Sequence, residues 1–468
     1  SALRNSGLEF PRGRITVNLA PADLHKEGAA FDLPIAVGLM RAAGMVEVPP
    51  RQDALLERTL FLGELALDGA LRQVKGVLPI AMHARRSGLT HLVVPRGNAP
   101  EAALAEGLVV RAFDHLHAVS GWLRGERGAP AAHEPDKRST NGACRQAAAD
   151  YADVKGQTST IRAMEAAAAG GHNLILIGPP GSGKTMLARR LPSILPPMSR
   201  EEMLETTSIH SVAGTLPNGS GVIPDRPFRA PHHTVSAAGL VGGGPRAMPG
   251  ELSLAHNGVL FLDELPEFPR RVMEALRQPL EDGEVTVSRS RHTLQYPSRV
   301  MLVASMNPTP GGDWPDRLFD DPSGRRDMKR YLGRVSGPLW DRMDLQVEVQ
   351  KVAFNSLVKP AKQEGSDQIR ERVVMARERQ LRRYRHVPGV YSNAALPTAM
   401  VARHCRPSAT GLKLVRHAME ELGLSARAYE RLLKVSRTLA DLEDSATIES
   451  RHLAEAIQYR AVDRWMSK

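Results

Sequence analysis

Cysteine is nearly absent: the 468-residue chain has two, Cys144 and Cys405. Such a pair cannot frame a disulfide-stapled fold, and with no other Cys near either, neither completes a thiolate metal centre. Thiol usage this sparse points to a reducing compartment. Aromatic residues make up only 4% of the chain, so its cores must rest on Leu, Val, Ile, Met and Ala. No run approaches the ~18 apolar residues that span a bilayer, and Ser1–Pro11 lacks the apolar centre of a signal peptide. The chain therefore reads as soluble and cytoplasmic, with no membrane partner. Internal repeats at solenoid periods and low-complexity tracts are also missing. The chain opens Ser1-Ala2-Leu3, without Met and in what reads as mid-helix, so we expect a preceding segment.

Positive charge is present in excess. Lys and Arg number 62 against 51 Asp and Glu, a formal net charge of +11, which favours an anionic partner without naming it or the fold. A prior of one domain per ~150 residues divides the chain into about three. Residues 1–125 alternate strand and helix patterns: Ile15–Leu19, Leu60–Leu67, His91–Val94 and Leu108–Val110 have strand character, and Leu33–Ala43 and Val77–Ser87 are helical. Residues 126–150 carry Gly, Pro, Ala and charge without apolar periodicity and read as a linker. In 151–352 the short apolar runs Leu174–Ile177, Val259–Leu262 and Val300–Ala304 alternate with helical stretches, the signature of a covered parallel sheet. Residues 353–468 are helical by period: Ser366–Arg385, Ala409–Leu422, Ala426–Asp441 and Ile448–Trp465, the last after a Thr447 N-cap.

Chemistry concentrates at the ends of the apolar runs. Gly178-Pro179-Pro180-Gly181-Ser182-Gly183-Lys184-Thr185 fits the phosphate-loop pattern and sits after a strand and before a helix. Its glycines let the backbone aim N–H groups at phosphate oxygens, and the helix adds its positive N-terminus. Lys184 would contact the β- and γ-phosphates of ATP and Thr185 would hold Mg²⁺. Asp263 and Glu264 close the second run; the first suits Mg²⁺ through its water shell and the second can orient or deprotonate the attacking water. Asn307, after the third run, can hold that water. Arg342 lies between Asp341 and Asp344, a pattern that by itself fits a surface ion pair.

Together with Ser336–Arg342, Leu424–Ala428, Pro227–Thr234, Gly242–Gly244 and Leu412–Asp441, these motifs resemble the magnesium-chelatase-like branch of the AAA+ ATPases, and within it the ComM/YifB family of bacterial natural transformation, along essentially the whole chain. The resemblance implies an α/β architecture: an N-terminal ribosomal-S5/Lon-protease-like α+β domain, an AAA+ parallel-sheet ATPase core with a helix-2 insertion and a pre-sensor-1 hairpin, and a C-terminal helical lid. It makes Asn307 the sensor-1 residue, Arg342 an arginine finger and Arg427 the sensor-2 arginine. In that architecture Arg342 acts on a neighbour's nucleotide, so hydrolysis requires a homo-oligomeric ring, hexameric by the same resemblance. The implied activity is an ATP- and Mg²⁺-dependent helicase promoting branch migration during recombination of incoming DNA. The implied partners are single-stranded and branched DNA and recombinase machinery. A chelatase-type motor subunit that remodels a protein partner is the alternative.

DNA contacts are expected on the hairpin Gly283–Tyr296, where Arg289, Arg291 and His292 sit at the tip and can grip phosphates. The helical run holding Arg370, Arg372, Arg377, Arg379, Arg382, Arg383 and Arg385 reads as a solvated face or a backbone track. His232 and His233 lack the spaced partners of a zinc site. Relatives often carry cysteines before Arg342, and the loop 308–329 has none. Lon-type peptidases need a hydroxyl nucleophile at the start of the first helix; Lys26–Arg41 contains no Ser or Thr, so peptidase activity is not expected. Lys26, Arg12 and Arg14 are the basic candidates for docking by that domain.

Overall fold

The computed structural model describes residues 2–10, 13–19, 28–126, 131–133, 149–217, 219, 221–244, 247–288, 293–312, 322–352 and 363–466. They divide into two compact units, Ser1–Cys144 with Ser199–Pro224, and Arg145–Met198 with Asp225–Lys468. Lys26, Arg12 and Cys144 lie outside the described residues.

In the first unit, β1 (Thr59–Phe61), β2 (His91–Pro95) and β3 (Val109–Phe113) form a parallel sheet in that order. Its core gathers Leu33, Met40, Phe61, Val93, Phe113 and Leu116, and Trp122 packs its ring against Phe61 and Phe113 at centroid distances of 6.2 and 6.1 Å. The expected first strand is absent. Residues 14–19 form none, and Ile15, Val17 and Leu19 are exposed: alternation specifies a strand only where a sheet face receives its apolar side, and among the described residues this sheet ends at β1 and β3. The first helix, Asp32–Ala42, forms as expected, and the Asp32 carboxylate accepts from the Leu65 N–H at 3.3 Å.

Helix Arg200–Ala213 belongs to this unit although chain order puts it inside the second. A capping box between Ser199 and Glu202 starts it, and Gly214, at φ 72°, ends it. The carbonyl of Ser211 accepts from the Gly76 N–H at 3.0 Å. Its hydroxyl donates to Glu101 Oε2 at 2.6 Å, while Asn98 Nδ2 donates to Glu101 Oε1 at 2.6 Å. In the second unit Arg226 closes the base of this excursion, donating to the carbonyls of Pro196, Pro197 and Asn257 at 2.7, 3.2 and 2.6 Å.

The second unit is built on a five-stranded parallel sheet of β4 (Leu174–Ile177), β5 (Phe228–Arg229), β6 (Val259–Leu262), β7 (Met301–Met306) and β8 (Leu345–Glu348), in spatial order β8-β4-β7-β6-β5. The pleat sends alternate side chains to opposite cores. Leu174, Leu176, Val259, Phe261 and Val303 share one with helices α1 (Thr158–Gly170) and α2 (Lys184–Ile194); Ile175, Ile177, Leu260, Leu262 and Leu302 share the other. Both faces are buried, which is why these strands read as continuous apolar runs.

Helices α3 (Ser366–Tyr384), α4 (Ala409–Leu422) and α5 (Ala426–Leu442) follow. The expected single helix Ile448–Trp465 is instead two, Ser450–Gln458 and Ala461–Met466, capped by Glu449 rather than Thr447. The break lets the Tyr459 carbonyl accept from the Gln346 N–H of β8 at 2.7 Å. Two short helices, Arg270–Ala275 and Arg277–Asp282, meet at Leu276 ahead of the hairpin. The arginines of α3 are largely consumed inside the fold. Arg372 pairs with Glu165 and Glu364, Arg377 donates to the Ala168 and Ala169 carbonyls, Arg379 pairs with Asp444 and Arg383 with Asp441. Four of the seven in that run are thus held by partners within the fold, while Arg382 and Arg385 are exposed. Cys405 is buried here, and burial pushes its thiol up to about 11, as suits a packing residue.

Burial also holds the Glu101 carboxyl above its usual range, opposed by the hydrogen bonds from Ser211 and Asn98. A carboxyl raised in the folded state contributes stability while protonated and loses it as pH rises through the folded value. Glu101→Gln removes the buried charge and keeps hydrogen-bonding partners for Ser211 and Asn98. Its melting temperature should exceed that of the unaltered chain at pH 8, with the difference shrinking toward pH 5; thermal scans at both values check this.

Candidate nucleotide site

Register sets the site. Met306 pairs with Ile177 and Ala304 with Leu262, so β4, β7 and β6 end nearly level, and the residues stepping off them meet at the carboxyl edge where parallel sheets bind ligands. After β4 comes Gly178, where a Cβ would stand 2.3 Å from the Val349 carbonyl oxygen; no larger residue fits. Gly181 and Gly183 have φ 75° and 90°, the left-handed region that glycine enters without strain. Ser182 Oγ is buried with no hydrogen-bond partner. Lys184 opens α2, and its ammonium donates to the carbonyls of Gly178 at 2.6 Å and Pro179 at 3.0 Å and to Asn307 Oδ1 at 3.3 Å. Burial draws the Lys184 pKa below its usual value, and Asp263 and Glu264 partly restore it.

Thr185 Oγ1 donates to Asp263 Oδ2 at 2.8 Å, joining two of the expected metal-site residues across adjacent elements. The other Asp263 oxygen accepts from Ser305 Oγ, which in turn accepts from the Glu264 N–H at 3.2 Å. One hydroxyl thus fixes both acidic residues. Ser305 is fully buried within the apolar run of β7, and a lone hydroxyl in such a strand is the signal from which its role could have been read. Glu264 is held at φ 55°, a strained conformation of the kind kept at functional sites. Its Oε2 lies 4.0 Å from His233 Nδ1, and the His233 ring is 4.0 Å from that of His232. Sequence reasoning weighed those histidines only as metal ligands; one of them instead faces Glu264. Among the described residues no cluster of three His, Cys, Asp or Glu side chains is placed to hold a metal. Asn307 is fixed through its carbonyl by the Tyr331 hydroxyl at 3.2 Å; burial pushes that phenol up to about 12, so it remains a donor.

Arg342 is elsewhere. Its carbonyl accepts from Asn173 Nδ2 at 3.0 Å, and Asn173 precedes β4, whose opposite end leads into the phosphate loop. Four strand residues at ~3.3 Å each separate the two ends by ~13 Å. The Arg342 guanidinium donates to the Pro338 carbonyl at 3.2 Å and pairs with Glu281. Arg427, at the start of α5, reaches Oδ2 of Asp341, the residue before Arg342, at 3.5 Å. The expected hairpin forms from Glu284–Ser288 and Thr293–Pro297, and the Tyr296 hydroxyl donates to the Ala247 carbonyl at 2.9 Å. Arg289, Arg291 and His292 lie outside the described residues.

A phosphate loop, an acidic pair and a polar residue on three neighbouring strands of a parallel sheet, with a helical lid, define an AAA+ domain of the magnesium-chelatase type. Family matches extend along the chain: magnesium chelatase subunit ChlI over residues 150–357, subunit ChlI of Mg-chelatase over 1–98, and the ChlI C-terminal domain over 363–460. The chain is 45% identical to protein YifB of Salmonella typhimurium over 99% of its own length and 88% of that protein. It is 44% identical to the competence protein ComM of Haemophilus influenzae over 100% of its own length and 89% of that protein. The magnesium-chelatase 38 kDa subunit of Acidiphilium rubrum is 29% identical over 34% of this chain and 53% of that one. The chain belongs to the ComM/YifB family of magnesium-chelatase-like AAA+ proteins.

Removing the shared anchor should uncouple the acidic pair. Ser305→Ala is expected to lower ATP turnover by ~10–100-fold, the usual cost of deleting a group that orients a metal ligand, while nucleotide binding changes little. Turnover measured beside equilibrium binding of a fluorescent nucleotide checks this.

Proposed function

We propose that the protein is an Mg²⁺-dependent ATPase that works as a ring and acts on DNA, promoting branch migration when incoming DNA recombines. The observation that carries this is the separation of Arg342 from its own phosphate loop by the length of β4. The residues fit the nucleotide. Gly178 leaves room for close backbone approach, Ser182 offers a buried hydroxyl without a partner, and Thr185 with Asp263 presents the hard oxygen donors that Mg²⁺ prefers. Bound with ATP, Mg²⁺ would neutralise phosphate charge. Lys184 exchanges its contacts with loop carbonyls for the β- and γ-phosphates. Asn307, released by Lys184, and Glu264 hold the attacking water, and Glu264 takes its proton.

In this reading a neighbouring copy supplies Arg342, with Arg427 beside it. The strand-end separation supports a ring of like subunits, and we take the ring to be hexameric by the family resemblance. For the substrate, the support is the full-length likeness to a competence protein, the net charge of +11 and the hairpin whose tip carries Arg289, Arg291 and His292. The chelatase-type alternative is a motor that remodels a protein; the magnesium-chelatase 38 kDa subunit of Acidiphilium rubrum is 29% identical over 34% of the chain, against 44% over the full chain for the competence protein. Recombinase machinery is the proposed partner, and the cytoplasm the proposed location. Among the described residues no helix is long and apolar enough to cross a membrane.

Arg342→Ala should retain nucleotide affinity and lose turnover by ~10³-fold or more, the scale of an arginine finger; full activity in a dilute, strictly monomeric preparation would refute the ring requirement. ATPase rates with and without single-stranded and forked DNA test the substrate, with Lys184→Ala and Glu264→Gln as controls. Stimulation that weakens steeply with salt is expected. No stimulation and no salt-sensitive binding by any DNA would end the helicase reading.

A further inference from the structure

The loop that presents Arg342 is gripped on both sides by α5. Arg427 and Arg431 are four residues apart, so they stand on one face of that helix. Arg427 reaches Asp341 at 3.5 Å, and Arg431 NH1 donates to Asp344 Oδ1 at 2.8 Å. The two contacts are unequal. Arg427 is 69% exposed and such a pair contributes little, whereas Asp344 is 10% exposed and Arg431 21%. Loss of Arg431 would leave a buried carboxylate without its cation.

Asp344 is held from the sheet side as well. Its Oδ2 accepts from the Asn173 N–H at 3.1 Å and lies 3.4 Å from His172 Nδ1. Burial pushes the Asp344 carboxyl up, but His172, Arg431 and the Asn173 amide outweigh it and bring it down to about 2, so it carries charge at neutral pH. The Asn173 side chain has two fixed partners: Nδ2 donates to the Arg342 carbonyl at 3.0 Å, and Oδ1 accepts from the Leu302 N–H at 2.8 Å. From His172 the network continues into the lid. Nε2 meets Thr438 Oγ1 at 2.7 Å, and Asn393 bridges Thr438 and Asp441 at 2.9 Å each. The Arg342 carbonyl is therefore held by Asn173, just before β4, and the acidic residues that flank Arg342 are held from α5. Its guanidinium, 13% exposed, meets Glu281, which is 69% exposed, and the Pro338 carbonyl.

We propose that Arg431, acting through Asp344, and Asn173 are positioning residues for Arg342, so that the lid of a protomer sets the reach of the cation which that protomer extends to its neighbour. This rests on the reading of Arg342 as the residue that completes the neighbouring site. The arginine's loop is then set by the lid on one side and by the sheet on the other. A shift of the lid against the sheet in one subunit changes the barrier to hydrolysis in the next.

The test measures kcat and KM for ATP, nucleotide affinity and melting temperature in the full chain carrying Arg431→Gln, Arg431→Lys, Arg342→Ala and the double variant Arg342→Ala/Arg431→Gln. Arg431→Gln should lower kcat by up to ~10²-fold, the cost of misplacing a reacting group by about 1 Å, with KM and nucleotide affinity nearly unchanged. Arg431→Lys should recover part of the loss. The double variant should be no slower than Arg342→Ala alone. Independent, multiplying losses, or Arg431→Gln turning over at the unaltered rate while Arg342→Ala is slow, would overturn the positioning role. Arg342→Ala at the unaltered rate would instead remove the reading on which the proposal rests. If Arg431→Gln binds no nucleotide, Arg431→Lys and its double with Arg342→Ala are judged by the same criteria.

Discussion

A parallel sheet delivers the carboxyl end of every strand to one edge and the amino end to the other. Here that geometry divides the chemistry: the phosphate loop, Asp263, Glu264 and Asn307 leave β4, β6 and β7 at one edge, while Arg342 enters β8 from the other. No rotamer of an arginine spans a strand, so in the proposed mechanism a single copy cannot bring its own Arg342 to its own phosphate loop. Assembly, in the proposed mechanism, is what brings a phosphate chain and a guanidinium together.

Within the acidic half, precision comes from a small neutral group. The Ser305 hydroxyl donates to Asp263 and accepts from the Glu264 amide, holding the second residue in a backbone conformation it would otherwise avoid. Strain of this kind persists where surrounding contacts over-determine it. Because Ser305 lies on the strand between β4 and β6, the same register that levels the strand ends also delivers the hydroxyl.

The parts that could be read from the chain are those written locally. Gly178–Thr185, Asp263-Glu264 and Asn307 each follow an apolar run, and their residue types declare their chemistry without knowledge of distant neighbours. The α3 arginines show the limit: six cations on one helix look solvent-facing until Glu165, Asp441 and Asp444 arrive from other elements. His233 beside Glu264, Arg431 on Asp344 and Glu101 under Ser211 are likewise long-range polar pairs, and pattern carries no record of them. Ile15–Leu19 errs in the opposite direction, since its period suits a strand but no sheet among the described residues receives it. Helix ends suffered for a similar reason: the break before Ala461 exists because β8 takes up a carbonyl there.

The excursion closed by Arg226 has a practical corollary. Between the two units the backbone crosses three times, after Cys144, after Met198 and again before Asp225. Nicking the stretch that joins them would leave both halves still tethered. A gene fragment beginning at residue 150 would encode Arg200–Ala213 stripped of Gly76, Asn98 and Glu101, its inner side bare to water. The ATPase is thus not separable by scissors at the obvious seam, and any attempt to study it alone must carry the amino-terminal unit along or excise the loop and rejoin its two pinched ends.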